Sequence, residues 1–206
     1  MKREFLILSI LSLLFFGYAV MASNYKVDTK KSGINWVGEK VTGKHNGTVN
    51  LDSGELKVKD GKFFGEFTID MTSITNQDIE DETYKKKLES HLKSDDFFSV
   101  EKHPGATFKI SAVEKYEAKE GETANHIITG KLTIKDITHE IKFPATISFE
   151  KDTFTATAKF TIDRVKWDVR YNSGSFFENL GDKLIYDDIQ LELNLTGHVV
   201  KAASDS

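Results

Sequence analysis

Cysteine is absent from all 206 residues, which excludes disulfides and thiolate metal sites as sources of stability. The chain must hold itself together by burying apolar side chains. At 39% apolar and 11% aromatic residues, with fifteen phenylalanines, it has the composition for a full core. Proline is nearly missing as well: there are two, and no Pro/Gly/Ser-rich stretch divides the chain, so one domain is expected. Arginine is as scarce, with Arg164 and Arg170 alone beyond Arg3. A formal net charge of −4 with both signs interspersed excludes nucleic acid as a partner. Catalytic signatures are also lacking. No Gly-x-Ser-x-Gly elbow, phosphate-cradling Gly-rich loop or His-Glu-x-x-His helix occurs, so no catalytic residue, metal or cofactor is assigned.

What is there begins with an export signal. Lys2 and Arg3 precede an apolar run from Phe5 to Val20, which ends in the small residues around Ala22. This is the layout of a cleaved secretory peptide, and about 16 apolar residues are few for a membrane span. Cleavage near Ala22 leaves a domain over 23–200 and a frayed tail over 201–206, in the periplasm or outside the cell, with no stable membrane insertion.

Period-two alternation fills most of that domain. Ile34 and Trp36 begin it after a short opener, Tyr25 to Asp28. Val49 and Leu51, then Leu56 and Val58, read as a hairpin across Asp52-Ser53-Gly54, and Asp60-Gly61 reads as a tight turn. Phe63, Gly65, Phe67, Ile69 and Met71 share one face. Ala106, Phe108, Ile110 and Ala112 follow, then His126 to Ile134, Ile137 to Phe149, Phe154 to Ile162 and Ile189 to Val199. Pro144 argues for an edge or a bulge in its strand. Between Asp78 and Lys93 the period changes: Tyr84, Leu88, His91 and Leu92 form a narrow apolar stripe on a short helix. Acidic residues precede basic ones along it, offering Asp81–Lys85 and Glu82–Lys86 pairs. Phe97 and Phe98 then lead back toward the strands.

Eight or nine one-faced strands joined by short turns suit an antiparallel sandwich or a closed barrel. A barrel leaves no long exposed edges and is the architecture expected. Its inward face mixes Phe, Ile and Leu with Gly65, Gly130, Gly197, Ala106, Ala112, Ala145, Ala156 and Ala158. Such small residues either mark bends that close a barrel or leave an apolar cavity for one long ligand. Phe63, Phe67, Phe108, Ile128, Phe143, Phe154 and Phe160 would line that cavity, with Phe97 and Phe98 at its mouth. Arg164, Arg170 and Lys166 fall in one segment and are candidates for an anionic head group. The structural alternative for the arginines is pairing with Asp163, Asp168 or Asp182, or stacking on Trp167. Histidines His45, His91, His103, His126, His139 and His198 are scattered, and Asp95-Asp96 reads as a turn or cap.

The stretches HLKSDDFFSVEKHPGATFKIS and GKLTIKDITHEIKFPATI, with the opener YKVDTKKSGINW and Arg164 three residues before Trp167, resemble the YceI-like family of exported, lipocalin-like proteins. The pattern meets Val27, Asp28, Ser32, His91, Leu92, Asp96, Phe97, Phe98, Pro104, Phe108, Gly130, Leu132, Thr133 and Thr138. The resemblance implies an all-β, antiparallel eight-stranded barrel with one short helix and an aromatic loop at one opening. It also implies a polyisoprenoid or other long-chain lipid in the pore, and a homodimer. Two positions depart from the pattern: Asp136 and Asp168 stand where the family commonly has Gly. The expected function is non-enzymatic binding, carriage or storage of a long-chain amphiphilic lipid, of polyisoprenoid or fatty acid/amide type. An enzyme or accessory acting on such lipids through Arg164, Lys166 and His91, or an interaction module with a filled barrel, fits the same residues.

Overall fold

The computed structural model describes residues 22–200; the expected signal and tail lie outside them. Nine strands run β1 Ser23–Val27, β2 Gly33–Lys40, β3 Gly43–Lys59, β4 Lys62–Asn76, β5 Gly105–Lys115, β6 His126–Ile134, β7 Ile137–Glu150, β8 Thr153–Asp163 and β9 Ile185–Val199, with helix α1 at Glu82–Lys93. All neighbours are antiparallel, in the order β1-β3-β2-β9-β8-β7-β6-β5-β4, and a β3–β4 ladder closes the ring. β1 and β2 share one position between β3 and β9: β1 pairs with the later part of β3 and the end of β9, β2 with the earlier part of β3 and the start of β9. Nine strands therefore make an eight-stranded barrel. Closure satisfies strand edges that an open sheet would expose.

The turns follow local chemistry. Asp60-Gly61 and Lys135-Asp136 both take positive φ at two successive residues, the geometry that matches strand twist in a two-residue hairpin. Asp136 at φ 60° and Asp168 at φ 59° are left-handed. Both family glycines thus correspond to positions where glycine is conformationally favoured and Asp is tolerated. α1 starts at Glu82 rather than near Asp78, because Asp81 caps it by accepting from the Thr83 and Tyr84 amides. The expected Asp81–Lys85 pair is replaced by Lys85 to Glu82 at 3.8 Å.

Three expectations are corrected. No hairpin exists at Asp52-Ser53-Gly54: β3 runs through and absorbs a register shift between Leu51 and Ser53. Gly54 is there for closeness, since a Cβ would lie 2.7 Å from the Phe67 ring and from Val27. Ala112 does not face inward. A bulge between Ile110 and Ala112 reverses the faces, so Val113 packs against the core instead. Gly130 and Gly197 do not add space to the interior. A Cβ at Gly130 would sit 2.3 Å from Phe108, and one at Gly197 2.2 Å from Phe154, so each glycine seats a ring. Pro144 pairs with Ile127 on β6, but the β7–β8 ladder begins only at Ala145; its missing N–H falls where that ladder has ended.

Buried apolar side chains form three clusters. At the α1 end, Ile69, Met71, Ile74, Leu132, Ile134, Ile162 and Trp167 cluster, with Leu92 and Phe98 packed on them. At the other end Tyr25 meets Phe149 and Phe154, each at 5.5 Å between ring centroids, and Phe63 meets Phe149 at 6.0 Å. Fully burying a ring such as Phe154, 1% exposed, contributes roughly 1.5–3 kcal/mol, whereas Phe149 stays 40% exposed. A third cluster holds Ile128, Phe143, Ala145, Ile147 and Ala158.

Candidate functional site: an apolar tube with one polar end

A cavity of about 270 Å³ runs inside the barrel, roughly twenty times the ~10–15 Å³ that one water needs. Its wall is almost entirely carbon. All nine apolar candidates, Phe63, Phe67, Phe97, Phe98, Phe108, Ile128, Phe143, Phe154 and Phe160, border it, together with Ala106, Ala145, Ala156 and Ala158. Alternation explains this directly, since one face of every strand points inward. Phe143 and Phe160 stack at 4.1 Å across the point where β7 and β8 part.

The helix lies over the tube through Leu88 and Leu92, which border the cavity. Phe97 and Phe98 divide their roles. Phe97 is buried between His91, 4.9 Å away, and Tyr171, 5.3 Å away, tying α1 to the loop after Trp167. Phe98 stays half-buried against the core.

The ionisable wall residues gather at the α1 end: Glu39 and Lys40 at the end of β2, His45 at the start of β3, Tyr186 at the start of β9, and Arg164; Thr157 and Trp36, whose Nε1 is buried without a partner, also border the tube. A separate polar recess of about 360 Å³ is bounded by Glu39, Tyr186, Asp187, Asp188 and Gln190, with Asp188 and Gln190 on the outward face of β9. A hydrogen-bonded hub fastens these segments. Asp78 accepts from the Asn46 amide at 2.7 Å and the Asn76 side chain at 2.7 Å, and lies 2.8 Å from His45 Nδ1. Burial pushes the Asp78 carboxyl up, but these bonds outweigh it and hold its pKa below the usual carboxylate range. Asn76, 1% exposed, donates its amide N–H to Glu89 Oε1 on α1 at 2.8 Å. α1, β4 and the β2–β3 turn are thus one connected rim.

Of the three basic candidates, Arg164 alone borders the tube. Its side chain is 2% exposed. Nε donates to the Tyr186 carbonyl at 3.1 Å, Nη1 to that of Val169 at 2.8 Å and Nη2 to that of Ile185 at 3.1 Å. Asp187 Oδ1 lies 3.3 Å from Nη2, a charge contact without hydrogen-bond alignment. Burial lowers the guanidinium pKa, and Asp187 and Asp163 oppose that. The arginine is a brace that joins the Val169 carbonyl to the first two carbonyls of β9. Arg170 pairs with Asp168 at 2.6 Å and lies over Phe176 at 4.4 Å, and Lys166 is exposed. The three do not converge.

The remaining singled-out groups have local roles. His91 sits 3.1 Å from Asp96, and His103 3.0 Å from Asp136, so the two histidines have separate partners. Asp95 accepts from Lys102 at 2.7 Å and from Ser99, which keep its carboxyl below the ordinary range. Among the described residues no three His, Asp or Glu form a metal-holding group, and no helix is long and apolar enough to cross a membrane. Several residues that carried the resemblance are fasteners. Ser32 Oγ donates to the Thr196 carbonyl at 3.2 Å and accepts from the Thr196 amide at 3.0 Å. Trp167 Nε1 donates to the Leu132 carbonyl at 3.1 Å. Reading the sequence missed Glu39, Lys40, Tyr186, Asp187 and Asp188. Their only local signal is a run of polar residues interrupting alternation at the start of β9.

Fold and interior together define a closed antiparallel barrel around an apolar tube, with a helical cover at its one polar end. The chain belongs to the YceI-like family: the sequence profile of the YceI-like domain matches residues 25–197. It is 30% identical over 155 residues to Protein YceI of Escherichia coli O157:H7, covering 74% of this chain and 76% of that protein. Two solved structures share the fold. BcnA of Burkholderia cenocepacia superposes with a TM-score of 0.62 at 24% identity, over 82% of this chain and 98% of that one. A polyisoprenoid binding domain from Saccharophagus degradans, implicated in plant cell wall breakdown, gives 0.60 at 12% identity, over 85% and 98%.

Proposed function

We propose that this chain binds and carries one long-chain amphiphile, of isoprenoid or fatty type, in the tube, without chemical turnover. After removal of residues 1–22 it would do so in the periplasm or outside the cell. The observation that carries the reading is the carbon-walled cavity whose ionisable lining residues, Glu39, Lys40, His45, Arg164 and Tyr186, lie toward one end, which matches a molecule with one polar end and a long apolar body. The polyisoprenoid binding of the Saccharophagus degradans relative is consistent with it.

Burying about fifteen CH₂ groups at about 0.8 kcal/mol each gives roughly 12 kcal/mol before an association cost of about 4–15 kcal/mol. Such a gain needs a long chain. Short amphiphiles would leave too little surplus for useful affinity. Native mass spectrometry of protein from its own host tests the reading: a reproducible adduct of lipid mass supports it. Protein that is always empty, and that takes up neither prenyl nor fatty lipids, overturns it.

A further inference from the structure

We propose that Phe154 is the floor of the tube and sets the longest chain that this barrel accepts. This rests on the carrier reading and narrows its ligand class by length.

The end of the barrel away from α1 is closed two rings deep. Leu56, Phe63 and Phe154 border the cavity there, whereas Tyr25 and Phe149 do not. Those two rings stand behind the wall. Tyr25 meets Phe154 edge-on at 5.5 Å between centroids, and Phe149 meets Phe63 at 6.0 Å and Phe154 at 6.4 Å. Phe154 is 1% exposed and Tyr25 6%, so both are packed on nearly every side. β1, which shares its place in the barrel with β2, supplies Tyr25 to this end by pairing with Leu56 and Val199.

The first ring is held in place by its neighbours on the sheet. Phe154 pairs with Phe149 on β7 and Gly197 on β9, and a Cβ at position 197 would stand 2.2 Å from the Phe154 ring. Gly197 therefore fixes where the ring lies. The next inward position on β8 carries no ring: Ala156 borders the cavity, about 6.6 Å further along the strand. The step from Ala156 to Phe154 is where the tube stops.

Affinity then depends on length in a defined way. Each carbon buried multiplies it about fourfold. The gain ends at the carbon that reaches Phe154, because a longer chain must leave its surplus in water or displace rings in a close-packed cluster. One side chain thus reads chain length, whatever the other end of the ligand carries.

The test is competition of two series, linear alcohols lengthened one carbon at a time and prenols lengthened one isoprene unit at a time, against N-phenylnaphthylamine bound to delipidated protein. Affinity is expected to rise with length and then to level off at one break. In Phe154→Ala the break should move to longer chains, and ligands just beyond the parent's break should gain about tenfold over shorter ones. Tyr25 remains behind as the new floor. Phe154→Leu, which leaves a smaller gap, should shift the break less in the same direction and keeps the test decisive if the alanine variant does not fold. Ala156→Leu should move the break to shorter chains. A break that stays at the parent's length in the Phe154 variants, or affinity lost by one factor at every length, overturns the inference and leaves the carrier reading in place. Parent affinity that climbs without a break overturns it too. If neither series displaces the probe at any length, the carrier reading falls and the inference with it.

Discussion

Ala156→Leu puts the tube itself under test. Ala156 lies midway along β8, opposite Ile147 on one side and Leu195 on the other, and it borders the cavity. It packs against both the aromatic end cluster and the wall cluster around Ile128 and Phe143. Leu adds three carbon groups at a place where the interior is open, so the gross gain is about 2.4 kcal/mol at ~0.8 kcal/mol per group. Fixing the new rotamer costs about 0.5–1 kcal/mol. The net is about 1.5 kcal/mol of added stability for ligand-free protein, or a rise in Tm of roughly 3–6 °C for a domain of this size. The same side chain narrows the tube at its middle, so long-chain lipid should bind at least tenfold more weakly. Thermal melts of delipidated protein and a lipid titration read the two effects separately. A loss of stability would mean that the site is already packed. Unchanged lipid affinity alongside the stability gain would mean that lipid does not enter the tube.

Other substitutions probe the rim. Arg164→Ala strands Asp187 and three carbonyls, and should cost about 3–5 kcal/mol in chemical denaturation. Arg164→Lys should recover little, because one ammonium cannot meet three carbonyls in the guanidinium's fork. Phe97→Ala should lower stability by about 3 kcal/mol by opening the packing between His91 and Tyr171, whereas Phe98→Ala should mainly speed lipid release, as stopped-flow displacement would show. Burial, and then Lys115, hold the His126 pKa below its ordinary 6.5. The unfolded chain therefore binds the proton first, and stability should begin to fall as pH drops below about 6.5, until the folded form protonates as well. His126→Gln should flatten that part of a stability-versus-pH curve.

Strand content was legible because alternation is a local signal: Phe63 to Met71 and Ile137 to Phe149 each read correctly from side-chain period alone. Bulges were not. Nothing in Ile110-Ser111-Ala112 marks the extra residue that turns Val113 inward, since the shift is set by pairing with β6. The end of the tube was least legible. Glu39 and Lys40 look like ordinary residues before a turn, and Tyr186 looks like loop, until β2 and β9 pair and bring them to one end of the tube. Arg164 misled for a related reason. Its pattern is that of an anion receptor, and the carbonyls that engage it belong to Val169, Ile185 and Tyr186, which no local rule connects to it.

The central claim is that a lipid chain occupies the barrel interior, and a crystal structure of protein purified from its own host without delipidation tests it most directly. Continuous elongated density is expected from the Phe154 end, past Ala156, toward the α1 end bordered by Glu39 and Tyr186. An interior empty or holding only separate waters, in protein whose bound lipid is detected by mass spectrometry, would place the lipid elsewhere and contradict the claim.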